Sequence, residues 1–453
     1  MLSYNGVVGL GTKAKTLLNN QRLWLIAIII LGLVPRIIVT PYTSGSDIPQ
    51  FAGFADTFLE YRFHFYAYCD AGIWRELGWP YPWPYVYGPL FIIVLGLLRF
   101  FAPTQVQSMV VDGSYHVYAP TDWIIAVKNV YIFFDTVSAV LIYMIVEKHT
   151  SNSGKALLAM ALYYLNPMVI YISSIYGMFD QIPLEFFLAG LYLYLRTNRE
   201  KTGWILMGTS LAIKPLLAYA IIALLLYHFR RYGLWKLFTA IYLVFLPLAV
   251  SFTPFIIAEP ETLSYLMRAA RTVSSPNYSV PVVYSFNGIF SIAFYAWNYA
   301  GVDTTYILKL WPIIFLPLYL SILYTVWKTR NPLVPVLASY IVYTASYWRV
   351  NHQYLVPTVA FASIILFTSS NRIVKLLAAL LGLVIGLWPL LYPISFWAKV
   401  HIEEPSKLIV SFLNSVSANI LDPLVYVYYS LVLTILQILL ILTISLDQGN
   451  RHV

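Results

Sequence analysis

The chain has 453 residues, 60% of them hydrophobic and only 10% charged, with a mean hydropathy of +0.72. A water-soluble globule carries about 25% charged residues, so this composition excludes one and requires a polytopic membrane protein. A single cysteine excludes a disulfide framework and a multi-cysteine metal centre, and the net charge of +9 does not call for nucleic acid, because basic residues in a membrane protein first fix orientation.

In chain order, a basic segment 1–22 (Lys13, Lys15, Arg22) precedes a first span at 23–40, and no small-residue cleavage site follows it. The segment is expected to be cytoplasmic and the span to remain as an anchor. Residues 41–122 then form a long external loop. Within it, 89–103 is apolar for only about ten residues before Arg99, short of the ~17 that a span needs, and reads as an amphipathic helix on the outer surface. Spans are expected at 123–147, 156–174, 182–196, 237–257, 309–327, 332–347, 353–369, 374–396 and 423–446.

Residues 203–228 lie between two basic flanks, Lys201 and Arg230, and are too few for two full spans. They are expected to form two half-length helices turning at Ile213-Lys214-Pro215, since proline suits a fresh helix start. Backbone freed at membrane depth must line an enclosed cavity, which puts Lys214 at a cavity floor. The fold class is therefore an all-α membrane bundle of about 12 segments. Its parts are the N-terminal segment 1–22, a membrane module 23–257 that includes loop 41–122, a second external loop 258–308, and a C-terminal membrane module 309–453.

The charge divides unevenly between the two sides. The expected cytoplasmic segments hold 16 of the 28 Lys and Arg against three acids (Glu147, Glu200, Asp447), a balance of +13; the remainder holds 12 basic and 16 acidic residues, −4. Four groups of charges outside this topology carry the chemistry. The first loop has Asp47, Asp56, Glu60, Arg62, Asp70, Arg75 and Glu76 among aromatics and ends in Tyr87-Gly88-Pro89; Asp180 follows Tyr176-Gly-Met-Phe; Lys214 marks the hairpin; and Arg349 lies in Tyr347-Trp-Arg349-Val-Asn351-His352-Gln353-Tyr354.

Singly, these residues have bland readings. Loop aspartates such as Asp56, Asp70, Asp112 and Asp122 are by default solvated or capping, a lone His352 is a hydrogen-bonded interface residue, and Lys128 and Asp135, two turns apart, read as structural partners. Together, external carboxylates facing Lys214, Arg349 and His352 suit a reaction between a membrane-embedded anion and a polar acceptor. Arginine and lysine hold a lipid phosphate, and a carboxylate takes a hydroxyl proton. No glycine-rich nucleotide loop and no paired-histidine zinc motif is present, so the donor is read as a lipid.

At these residues the chain resembles the GT-C superfamily of integral-membrane glycosyltransferases, which use polyprenyl-phosphate sugars. The matching elements, in order, are Asp47, Tyr87-Gly88-Pro89, Lys128 to Asp135, Asn166-Pro167 with Tyr176-Gly-Met-Phe-Asp180-Gln181, Lys214-Pro215, and His352-Gln353-Tyr354. Within the superfamily it is similar to the dolichyl-phosphate-glucose glucosyltransferases of N-glycan assembly and the GPI mannosyltransferase I catalytic subunits, as a prokaryotic relative would be. Asp47-Ile48-Pro49 stands where the mannosyltransferases have Asp-x-Asp, so a divalent metal is doubtful and no cofactor is expected. Gly-Met-Phe-Asp stands where the glucosyltransferases have Gly-His-Phe-Gln.

The resemblance implies transfer of a hexose, mannose or glucose, from a polyprenyl- or dolichyl-phosphate to a lipid-linked glycan or glycolipid. The reaction would take place on the external or lumenal side of a prokaryotic plasma membrane or an ER membrane. Asp47 is implied as general base of an inverting reaction, Lys214, Arg349 and His352 as ligands of the donor phosphate, and Gln353, Tyr354 and Tyr87 as donor or acceptor contacts. Asp180 is either a sugar-hydroxyl ligand or a helix cap. A membrane glycan polymerase or ligase using a lipid pyrophosphate, a secondary transporter and a non-catalytic glycan-binding subunit are the other readings.

Overall fold

The structure is a computed structural model that describes residues 7–68, 84–111, 114–196, 199–276, 285–391, 406–409, 411, 415 and 423–447. Asp70, Arg75, Glu76 and Asp112 lie outside the described residues. The rest is almost entirely helical. Six helices are long and apolar enough to cross a membrane, and two further pairs are bent spans or re-entrant loops.

The elements follow the expected spans closely. Helix α1 runs Val7–Val39 and is followed by α2 (Asp47–Tyr61), α3 (Phe65–Tyr68) and α4 (Pro89–Phe101), with α2 packed on α4. α5 (Thr121–Thr150), α6 (Ser153–Tyr164), α7 (Pro167–Ile170) and α8 (Gln181–Tyr194) come next, then the hairpin α9 (Glu200–Ile213) and α10 (Ala218–Tyr232). α11 (Leu234–Ala258), α12 (Thr262–Ser274), α13 (Gly288–Ala300) and α14 (Thr305–Leu308) lead to α15 (Trp311–Lys328), α16 (Leu333–Ser346), α17 (Leu355–Thr368), α18 (Arg372–Leu391) and α19 (Pro423–Asp447).

The expected hairpin is present: α9 and α10 meet at a bend of 118° about Lys214. The local reason is Pro215, which disfavours helical backbone in the residue before it; Lys214 is extended at φ −155°, ψ 124°. The span expected at 156–174 is not one straight helix. It bends by 51° where Pro167 lacks a donor and Asn166 caps α7 through Met168 N. It ends in a π-helical turn, Tyr171–Tyr176. Loop 41–122 also contains a two-stranded antiparallel hairpin, β1 (Gln107–Val111) with β2 (Ser114–Tyr118), and loop 258–308 contains two substantial helices, α12 and α13; neither feature is expected from periodicity.

Large apolar side chains cover the outside of the bundle, among them Ile30 and Leu31 of α1, Trp235 and Phe245 of α11, and Ile313 and Leu320 of α15. Such a surface is stable against lipid and unstable in water. The basic linkers gather at one end, where Arg230 donates to the Thr329 carbonyl, the Tyr227 hydroxyl to that of Arg330, and Asn331 meets His149. The loops bearing Asp47, Asp180 and Arg349 gather at the other.

One correction concerns α5. Lys128 and Asp135 do not partner each other. Asp135, fully buried, takes Arg36 of α1 at 2.7 Å and the Tyr163 hydroxyl at 2.7 Å. Lys128, also fully buried, donates to the carbonyls of Thr40, Thr43, Ser174 and Ile175. Two turns of helix separate the two residues by about 10 Å, and each finds partners at its own depth.

Candidate active site

Asp47 is the first residue of α2, where a carboxylate is favoured by the positive end of the helix dipole. The chain reaches it through Gly45, whose N–H donates to the Tyr176 carbonyl at 2.7 Å. Beyond it the Trp123 indole donates to the Ile48 carbonyl at 2.8 Å. The Tyr176 hydroxyl donates to Asp47 Oδ2 at 2.6 Å, with Ser46 at 3.3 Å from the same hydroxyl. Lys128 braces both walls of this corner, since its four carbonyls belong to the segment entering α2 and to the π turn ending at Tyr176. Gly177 follows at φ +85°, a backbone that glycine adopts without strain, and a Cβ there would lie 2.6 Å from Ile48 and 3.0 Å from Lys128.

Lys214, at the hairpin tip, is almost fully buried and donates to Asp180 Oδ1 at 2.7 Å. Its ammonium lies 5.0 Å from the ring centroids of Phe179 and Tyr354 and 5.5 Å from Tyr87, where ring faces attract a cation. The first loop roofs the tip: Gly88 N–H donates to the Ile213 carbonyl at 3.0 Å, and a Cβ at Gly88 would stand 1.9 Å from the Ala212 carbonyl oxygen. Only glycine fits at that approach. Asp180 sits at the start of α8 but makes no side-chain cap bond, so its capping reading is set aside in favour of the ion pair with Lys214.

The third contribution comes from the α16–α17 junction. The His352 ring packs edge-on against Tyr176 at 4.4 Å, the Tyr354 carbonyl accepts from Tyr340 at 2.7 Å, and Arg349 Nη1 donates to the Val273 carbonyl at 3.4 Å. Residues 47, 87, 180, 214, 349, 352, 353 and 354 thus converge from five separate segments. Asp47 feels the charges of Lys214, Asp180 and Arg349. Asp47, Tyr87, Arg349, His352 and Tyr354 are partly exposed, whereas Asp180, Lys214 and Gln353 are buried beneath them.

The electrostatics follow from burial. Desolvation raises the Asp47 carboxyl above the ordinary aspartate range, while the Tyr176 hydrogen bond and then Lys214 oppose that rise. Asp180 is likewise raised by burial and held down by Lys214. Burial, reinforced by Asp47, pushes the Tyr87 phenol well up, so it stays neutral and able to donate.

Three participants escape the sequence reading. Tyr131 is an ordinary tyrosine in an apolar run that no spacing marks, while Tyr176 opens the Tyr176-Gly-Met-Phe-Asp180-Gln181 element without a role of its own. Tyr131 of α5 is 1% exposed, and its hydroxyl has no hydrogen-bond partner among the described residues; it is within electrostatic reach of Asp47, Tyr87 and Asp180. Gln181 was part of a quoted motif but carried no role. It is fully buried with both amide atoms unpartnered, like Asp180 Oδ2, Gln353 Oε1 and His352 Nε2. So many orphaned polar atoms in one place are costly without a polar ligand or water. Among the described residues no three His, Cys, Asp or Glu side chains form a metal-ligand group.

No family model matches the chain, and no curated protein matches it. Among solved structures it is similar to ArnT from Cupriavidus metallidurans bound to undecaprenyl phosphate. That alignment has 12% identity and a TM-score of 0.45, covering 94% of this chain and 78% of that one.

Proposed function

We propose that this protein is an integral-membrane glycosyltransferase that moves a hexose from a polyprenyl-phosphate donor to a lipid-linked or glycolipid acceptor on the side opposite its basic linkers. The observation that carries this reading is the convergence of Asp47, Asp180, Lys214 and Arg349. Asp47 and Arg349, 302 residues apart in the chain, meet with the other two in one polar cluster at the tip of the α9–α10 hairpin. The positive-inside rule makes that side external.

In the reaction the acceptor hydroxyl attacks the anomeric carbon and the carbon–oxygen bond to the lipid phosphate breaks. The phosphate leaves with the bonding electron pair, and the acceptor proton passes to Asp47. Tyr176 occupies Oδ2, so the proton goes to the other oxygen. A carboxyl raised by burial is a better matched base near neutral pH than an ordinary aspartate. Arg349 and Lys214 neutralise the departing phosphate, an interaction that strengthens as charge develops. Lys214 then exchanges part of its bond with Asp180 for the phosphate, and the freed Asp180 turns to a sugar hydroxyl. Attack from the face opposite the phosphate inverts the anomeric centre; a retaining enzyme would want two carboxylates about 5 Å apart flanking that carbon.

The test is purified protein incubated with a panel of polyprenyl-phosphate hexoses and membrane lipid extract, with products read by mass spectrometry. A hexose-bearing lipid product that disappears with Asp47→Asn is the expected result. Substrate uptake into proteoliposomes without any product would favour a transporter and overturn the reading.

A further inference from the structure

A second cationic feature lies outside this cluster. Helix α12 starts four residues after α11 ends, buries Thr262 and Ala269, and turns its other face outward. Ser264, Met267, Arg268, Arg271, Thr272 and Ser275 recur at helical spacing on that face and line an open groove of about 440 Å³. Among the described residues neither arginine forms an ion pair; the Arg268 guanidinium lies 5.6 Å from the Tyr265 ring. The acids nearest in sequence, Glu259 and Glu261, stand at the helix start, and Glu259 is turned toward His64, 3.8 Å away.

Orientation does not explain these arginines. They stand at the end of the bundle away from the basic linkers, in the part of the chain that is net acidic, −4. Helix α12 packs against α3 of the first loop, and its last turn is tied to the candidate active site, because the Ser274 carbonyl accepts from Trp348 at 3.2 Å and the Val273 carbonyl from Arg349. Met267 of the lining is an exposed apolar side chain, as are Leu263, one turn before it on α12, and Ile257 at the end of α11. Two guanidiniums without an ion pair among the described residues, three hydroxyls and exposed apolar neighbours near a span end match a phosphate carried on a lipid, since arginine binds phosphate bidentately and the apolar neighbours suit a hydrocarbon chain at the interface.

We infer that this face of α12 binds a phosphate carried on a lipid chain. On the glycosyl-transfer reading, on which this part rests, it holds the acceptor beside the donor site. Binding of radiolabelled farnesyl diphosphate to the full chain in neutral detergent tests it, with Lys214→Gln/Asp180→Asn as the background so that this buried donor-side pair is removed without a change of net charge. Arg268→Gln/Arg271→Gln should weaken binding at least about tenfold, the double lysine variant should recover part of the loss, and unlabelled farnesol or inorganic pyrophosphate should each compete at least about tenfold more weakly than farnesyl diphosphate.

Unchanged affinity in the double glutamine variant would overturn the proposal. Equal competition by pyrophosphate would make this a free-anion site and overturn the lipid assignment. In the transfer assay Arg268→Gln/Arg271→Gln, with Lys214 and Asp180 intact, should raise KM for acceptor and leave KM for donor alone. Arginine-dependent binding in a protein that transfers no sugar would remove the transferase reading and leave the lipid-phosphate site standing.

Discussion

Tyr176, at the end of a π-helical turn, donates a 2.6 Å hydrogen bond to the carboxylate of Asp47, 129 residues earlier in the chain. The bond holds the carboxylate in place and favours its charged form, against the desolvation that raises it. Asp47 must be ionised to accept a proton, so transferase activity should fall as pH drops through its raised pKa. Tyr176→Phe removes a contact that lowers that pKa, and the acid limb of the pH–rate profile should therefore move to higher pH. Asp47→Asn should cost about 10²–10⁴-fold in kcat with the donor still bound. An acid limb that stays put in Tyr176→Phe would refute the assignment of Asp47 as the titrating base.

Lys214 and Asp180 are a buried pair, and removing one leaves the other charged and unpartnered, at a cost of about 3–5 kcal/mol. Lys214→Ala should accordingly lower the melting temperature in detergent, and Lys214→Gln/Asp180→Asn should recover most of that loss. Neither variant should use donor well. A double variant with normal kcat/KM for donor would argue against the phosphate role of Lys214.

Lys128 donates to four carbonyls, of which that of Ser174 also accepts from the Thr43 hydroxyl at 3.2 Å. In Lys128→Met they lose that donor, at about 1–3 kcal/mol for each carbonyl left dry. The segment before Asp47 and the turn before Tyr176 should loosen together. Limited proteolysis or hydrogen exchange should register faster opening at residues 40–47 and 174–177 and not at α15. Uniform behaviour across the chain would count against this bracing role.

Tyr131→Phe deletes only a buried hydroxyl that has no partner among the described residues. The folded protein should be as stable as wild type or slightly more so, because an unsatisfied polar group is removed. If that hydroxyl meets a sugar hydroxyl, kcat/KM should fall by roughly fivefold, the worth of one net hydrogen bond. Loss of stability with unchanged kinetics would give Tyr131 a structural role instead.

The two halves of the problem differ in legibility. The hairpin at Lys214 was readable because two basic flanks and a proline leave no other arrangement, and the two-sided division of charge appears as linkers gathered at one end. The bend at Asn166-Pro167 is not legible in the sequence, because a proline in an apolar run is also compatible with an unbroken span. β1 and β2 escaped notice because ten residues of mixed polarity at a loop tip resemble irregular chain. The Lys128 and Asp135 pairing failed for a geometric reason: spacing on one helix says which face two residues share and cannot say that Arg36, from a different helix, reaches the carboxylate first.

Composition alone settled that the chain spans a membrane many times. Segment length against bilayer thickness placed the six long spans, at 23–40, 123–147, 237–257, 309–327, 374–396 and 423–446, since it acts locally and needs no neighbour. The environment of each charge was decided only in three dimensions. The 2.6 Å contact of Tyr176 with Asp47, the closure of Lys214 on Asp180 and the orphaned hydroxyl of Tyr131 depend on which helix ends meet. Hydrophobic patterning, which specifies faces and lengths, leaves that choice to packing.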